Sequence, residues 1–182
     1  MRHRFSSTAE TSEISLKLDN YDDIFSDFDI RPYSGRALSV DFLDEIKRAS
    51  QDKNENEVEL ILHMSEEKRS ESHEATIKER LIAHFARHYK LLLKEKHRVL
   101  WLGGIMVALG ILCMIIATLI VFEDPSQNLL LSFLVIFLEP AAWFLLWEGM
   151  DQIIFNSKDI NPELEFYKKM ASSNMHICFK TC

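Results

Sequence analysis

Two long apolar runs dominate the hydropathy pattern, Val99 to Phe122 and Leu129 to Trp147, separated only by Glu123-Asp124-Pro125-Ser126-Gln127-Asn128. As α-helices rising about 1.5 Å per residue they reach roughly 36 and 28 Å, against about 30 Å of bilayer hydrocarbon. Both are long enough to span. The pattern therefore predicts a transmembrane hairpin, with transmembrane helix 1 over 99–122, an external turn over 123–128 and transmembrane helix 2 over 129–150.

Outside these runs the period changes. Glu13-Ile14-Ser15-Leu16-Lys17-Leu18 alternates polar with apolar, as do Glu57 to His63 and Met175 to Lys180. Period two is the mark of a strand with one buried face. Between the first two, Ser39 is placed as an N-cap with Asp41 in the first turn and Phe42, Leu43 and Ile46 as an apolar stripe. That makes a β-α-β unit over 12–71, preceded by a flexible tail over 1–11, and such a crossover implies parallel strands. Ile77, Leu81, Phe85, Tyr89 and Leu92 keep one helical face, predicting an amphipathic stalk helix over 72–98. In 151–182, Asn161-Pro162-Glu163 reads as a helix start, with Asn as cap and Pro at the first helical position. Leu164, Tyr167 and Met170 face one side, and the third strand follows. The expected fold class is an α+β membrane protein: a two-helix transmembrane hairpin with a small cytoplasmic α/β domain of about three strands, built from both ends of the chain.

The averages conceal this division. With 47% hydrophobic and 27% charged residues over 182 positions, and a net charge of -7, the composition resembles that of a soluble domain. Charge is unevenly spread, however. Residues 1–79 hold 11 Lys/Arg against 19 Asp/Glu, whereas Arg80, Arg87, Lys90, Lys94, Lys96 and Arg98 face only Glu95. Basic residues flanking a span stay cytoplasmic, so a multi-pass protein of the cell (inner) membrane is expected, with both termini cytoplasmic. After Met1-Arg2-His3-Arg4 no apolar signal segment follows. Cys113 falls in the first run, and Cys178 and Cys182 fall at the cytosolic end, so no disulfide is expected.

Glu139 lies 11 positions into the second run and precedes Pro140. A carboxylate at that depth costs a few kcal/mol, so it must be protonated, paired or facing water. It serves either as a proton- or cation-handling group or as hydrogen-bonded glue between helices. Its expected partners are backbone, Ser132, Thr118 or the same residue of another subunit. Pro140 removes a backbone donor and favours a kink. Gly103, Gly110 and Ala117 recur every seven residues, and Gly104 with Ala108 forms a small-xxx-small pair, both suited to close helix packing. Trp101, Trp143 and Trp147 are expected as interfacial anchors. Glu148 and Asp151 are expected opposite Lys94 to Arg98 as interfacial ion pairs.

Two further clusters carry candidate ligand side chains. Asp19, Asp22, Asp23, Asp27 and Asp29 form a candidate ligand loop after the first strand. The loop departs from the EF-hand spacing, and its interleaved Tyr21, Ile24, Phe25 and Phe28 suggest packing on the core, with the acids meeting water, Arg31 or Arg36. His84 and His88 are spaced i, i+4 without a third ligand, and read as solvated helix-face residues. No P-loop, dinucleotide turn or serine elbow is present, so no metal, cofactor or catalytic residue is assigned.

The segment Glu139-Pro140-Ala141-Ala142-Trp143-Phe144-Leu145-Leu146-Trp147-Glu148-Gly149-Met150-Asp151, together with Tyr21 to Asp29 and Arg31-Pro32-Tyr33, resembles a group of small prokaryotic two-span membrane proteins with no assigned activity. In that group a glutamate is followed by spaced tryptophans and another acid; Pro140 and Gly149 depart from its pattern. The resemblance implies architecture and no mechanism. The expected function is a non-enzymatic, oligomeric, membrane-anchored interaction or regulatory module. Its partners would be the lipid bilayer, copies of itself and a cytoplasmic protein, with no nucleic acid. The alternative is a subunit of a small oligomeric channel or ion/proton-coupled transporter using intramembrane Glu139.

Overall fold

The computed structural model describes residues 12–51, 58–123, 128–172 and 175–181. The expected tail over 1–11, most of the turn over 123–128, and Cys182 lie outside the described residues. The chain is mostly helical, with two long apolar helices and a three-stranded parallel sheet. It divides into two compact units, Met1–Tyr89 with Glu165–Cys182, and Lys90–Leu164.

In the first unit β1 (Ser12–Lys17), β2 (Val58–Met64) and β3 (His176–Thr181) lie in the order β1-β2-β3, each pair parallel. The register sets Ile14 beside Leu60 and Leu60 beside Ile177, then Leu16 beside Leu62 and Leu62 beside Phe179. Partners in register share a face, so the alternation of all three segments feeds one apolar layer. The central strand buries Leu60, Ile61 and Leu62 completely. On the second face, the edge strands set Glu13, Ser15 and Lys17 on one side and His176 and Lys180 on the other, all exposed. Two crossovers running in the same direction, right-handed by rule, put their helices on one side of a sheet, which accounts for this asymmetry.

Helix α1 (Val40–Ser50) buries Phe42, Ile46 and Ser50 at i, i+4, i+8. Ser39 occupies the N-cap with an extended backbone, but its side chain makes no cap bond. The N-terminal part of α2 (Glu71–Glu123) buries Ile77, Leu81 and Phe85. Tyr89 and Leu92 are half-buried. A buried polar knot closes this core at its edge. Glu74 is 6% exposed and takes Nε and Nη2 of Arg69 at 2.8 and 3.1 Å. It also accepts from the Tyr21 hydroxyl at 3.3 Å, which in turn accepts from the Ser70 amide at 2.8 Å. Arg69 reaches Thr181 of β3 through Nη1. A carboxylate so enclosed is tolerable because both oxygens face a guanidinium.

Stalk and first apolar run are one helix. Its 53 residues correspond to about 80 Å at 1.5 Å per residue. Helix α3 (Leu129–Asp151) begins at Asn128, whose side chain accepts from the Leu130 amide, and contains Pro140. It does not stop at residue 151. A π-turn over Gln152–Asn156 leads directly into α4 (Ser157–Met170). The expected helix start at Asn161-Pro162-Glu163 is therefore corrected: Pro162 lies inside α4. The carbonyl that Pro162 leaves without its usual donor, four residues back, belongs to Lys158, which is exposed to solvent. Asn161 accepts from Lys96 Nζ at 2.6 Å instead of capping.

Candidate functional site

In the second unit the helices meet at small residues. A Cβ built on Gly149 would lie 2.8 Å from the Gly103 carbonyl oxygen and 2.9 Å from the Val107 amide nitrogen. One built on Gly103 would lie 2.9 Å from the Gly149 oxygen, and one on Gly110 3.0 Å from the Ala142 oxygen. Ala117 and Ala142 are buried as well. The seven-residue stripe Gly103, Gly110, Ala117 thus faces α3, and Gly149 is the close partner that the sequence pattern did not single out. Gly104 and Ala108 are not part of this contact: nothing lies within 4 Å of a Cβ on Gly104, and Ala108 is exposed. At 100° per residue they turn away from the 103/110/117 line.

Despite this contact, the helix pair leaves its apolar surface bare. Both helices are long and apolar enough to cross a membrane, and only 11% and 6% of their most apolar stretches are buried by the protein. Glu139 lines a groove of about 600 Å³ with Met114, Ala117, Thr118, Phe122 and Trp143. The Thr118 hydroxyl donates to the Met114 carbonyl at 2.8 Å, and Glu139 has no hydrogen-bond or ion-pair partner among the described residues. Trp101, Trp143 and Trp147 are 71%, 65% and 71% exposed. Glu148 accepts from Gln152 at 3.2 Å, in place of the ion pairs expected with the basic stretch.

In the first unit the acidic loop spends its carboxylates on the chain's own donors. Asp23 accepts from the amides of Asp19 and Asn20 at 2.7 and 2.9 Å. Asp29 takes Arg31 Nε and Nη2 at 2.9 and 2.7 Å and the Ala37 amide at 2.7 Å. These bonds, that from Arg31 first, hold its carboxyl well below the usual range. Asp22 pairs with Arg36, and Asp19 and Asp27 are exposed. Tyr21, Ile24 and Phe25 are buried as expected, whereas Phe28 is 99% exposed. Among the described residues no three His, Cys, Asp or Glu side chains are grouped to hold a metal ion. The Cys178 thiol is pushed up, first by burial and then by its bond to Glu59, which disfavours the thiolate a nucleophile needs.

His84 and His88 are half-buried rather than solvated. Their ring centroids lie 4.2 Å apart, and His88 stacks on Tyr167 at 5.2 Å. His84 Nε2 is enclosed without a hydrogen-bond partner among the described residues. Burial, followed by the charges of His88, Arg80 and Arg87, lowers its pKa to about 4. Sequence spacing identified the pair; the burial follows from α4 folding onto α2, which local periodicity does not encode.

No protein-family model, curated protein or solved structure matches this chain. What the residues do must be read from their own geometry.

Two predictions follow from these contacts. Gly149→Leu should weaken the α2–α3 pair by about 1–3 kcal/mol through overpacking, while Gly104→Leu, pointing into open space, should change it by less than about 0.5 kcal/mol; unfolding in graded denaturing detergent reads both. His84 has a folded pKa below its unfolded value, so the unfolded chain binds more protons between about pH 6.5 and 4 and stability falls as pH drops through that window. The loss should be on the order of 1 kcal/mol, because the ring is only half-buried. In His84→Phe the melting temperature should lose this part of its pH dependence.

Proposed function

We propose that this chain is a two-span integral membrane protein of the cell membrane. Both termini are cytoplasmic, and the hairpin holds a small non-enzymatic α/β module at the bilayer, where it assembles with copies of itself and binds a cytoplasmic partner. One observation carries the reading: two apolar helices pack on each other through glycine yet leave most of their apolar side chains exposed. In water that surface is unsupportable, and in lipid it needs no protein cover. The core helix of a soluble protein would be mostly buried. Orientation rests on the six basic residues of 80–98 beside the first span. Self-association draws support from the open Gly104 and Ala108 positions on α2.

A second reading is favoured by Glu139. Its carboxylate lines a groove beside Thr118 and Trp143 without a partner among the described residues, and several copies placed side by side would ring a polar path for protons or cations. Two spans cannot enclose such a path alone, so this reading requires oligomers.

Alkaline carbonate should leave the chain in the membrane pellet, and protease added to the cytoplasmic side should cut both ends; release into the supernatant overturns the two-span reading. For the second reading, liposomes carrying the protein should pass protons down a gradient and lose at least tenfold of that flux in Glu139→Gln with assembly unchanged. Equal flux from both proteins removes Glu139 from the path.

A further inference from the structure

The first unit contains a cleft of about 400 Å³ lined by Arg31, Tyr33, Ser34, Arg36, His73 and Thr76. Among the described residues no Asp or Glu lines it. Asp29 and Asp22 instead hold the two guanidiniums in place. Arg31 uses Nε and Nη2 on Asp29, whereas Arg36 uses Nη1 on Asp22 and both Nε and Nη2 on the Ser26 carbonyl. A guanidinium carries five N–H donors, so each keeps unused ones, and their positions are set before any ligand arrives. The Ser34 hydroxyl has no partner among the described residues. Solvent reaches the cleft, because Arg31, Ser34 and His73 are exposed.

Preset guanidiniums suit carboxylate and phosphate alike, but a carboxylate has two oxygens to share and a phosphate monoester has three. Two arginines and a free hydroxyl match the larger group. His73 and Thr76 stand in the first two turns of α2, where the helix dipole favours negative charge. The volume falls in the range of small-molecule sites, roughly 300–1,000 Å³, and leaves room beyond a bare phosphate. Thr76 donates its hydroxyl proton to the Ser72 carbonyl at 3.0 Å, so its oxygen is left to accept from an O–H of the ligand. We propose that this cleft binds a sugar phosphate, with the phosphate on Arg31, Arg36 and Ser34 and a sugar hydroxyl on Thr76. The charges of Asp22 and Asp29 offset those of Arg31 and Arg36. Recognition therefore depends on directed donors and not on bulk attraction. Every residue of the site belongs to the first unit, so the site does not depend on the two-span reading.

The test is calorimetric titration of the full chain, in uncharged and phosphate-free detergent, with ribose 5-phosphate, glycerol 3-phosphate, ribose and inorganic phosphate. At least one of the two phosphate esters should bind at one site per chain, tenfold or more tighter than inorganic phosphate, and ribose should give no saturable heat. Arg31→Gln should weaken that ester tenfold or more. Arg31→Lys keeps the charge but loses the fork, and should still weaken it at least threefold. Thr76→Val should weaken the ester at least threefold and leave inorganic phosphate unchanged. A melting curve of each variant reports whether it folds; should the Arg31 variants fail to fold, Ser34→Ala, at an exposed side chain, decides with an expected loss of at least threefold. No saturable binding of either ester, or binding that ignores these variants, overturns the site. Inorganic phosphate binding as tightly as the esters, or Thr76→Val without effect, overturns the sugar assignment. Carbonate release of the chain strikes the two-span reading and leaves this site standing, whereas a membrane-embedded chain that binds neither ester strikes this inference alone.

Discussion

Parallel pairing of β2 with β3 is the constraint on which the structure depends. The register from Glu59–His176 to Met64–Thr181 places neighbouring strands at opposite ends of the chain, and parallel strands cannot be joined by a tight turn. Everything between residues 65 and 175 thereby becomes a single crossover. Both long apolar helices belong to it. The sheet has only three strands, too few to be stable without cover, and beside α1 the beginning and end of that crossover contribute buried side chains to the core: Ile77, Leu81 and Phe85 on α2, then Phe166, Tyr167 and Met170 on α4. The aromatic contacts among Phe85, Phe166 and Tyr167 join those two segments.

Polar groups follow the same economy. Glu74 is buried beside Arg69 and Tyr21, joining the first turn after β1, the start of α2 and, through Thr181, the end of β3. Asp22, Asp23 and Asp29 fold their loop by accepting from its own amides and arginines. This leaves the outer N–H groups of Arg31 and Arg36 beside a cavity and lifts Phe28 and Ile30 into solvent. Within the two apolar runs, by contrast, polar side chains are few. Helix contact rests on backbone approach at Gly103, Gly110 and Gly149, where missing Cβ atoms let carbonyls close in, and Glu139 stands out because nothing around it is comparably polar.

Much of the fold was legible in the residues. Alternation marked all three strands to within a residue, and the unbroken apolar runs marked α2 and α3. The stripe Gly103, Gly110, Ala117 announced the face that meets α3. Other features were not legible. Asn161-Pro162-Glu163 carries every local sign of a helix start, yet a π-turn carries α3 into α4 and sets Pro162 in the interior. Phe28 shares the composition of its buried neighbours Tyr21, Ile24 and Phe25 but lies in a turn that faces outward. His84 and His88 have the spacing of an exposed helix face and are half-covered because Tyr167 arrives from far along the chain.

Local solvent preference, repeated at period two or 3.6, is a property of consecutive residues, and it determined the elements: three strands, two long apolar helices, and a basic stretch before the first apolar run. Which glycine receives a backbone and which histidine loses its water depend on atoms brought within a few ångströms from distant positions. Those distances exist only in the folded chain, so the tertiary structure alone decided them.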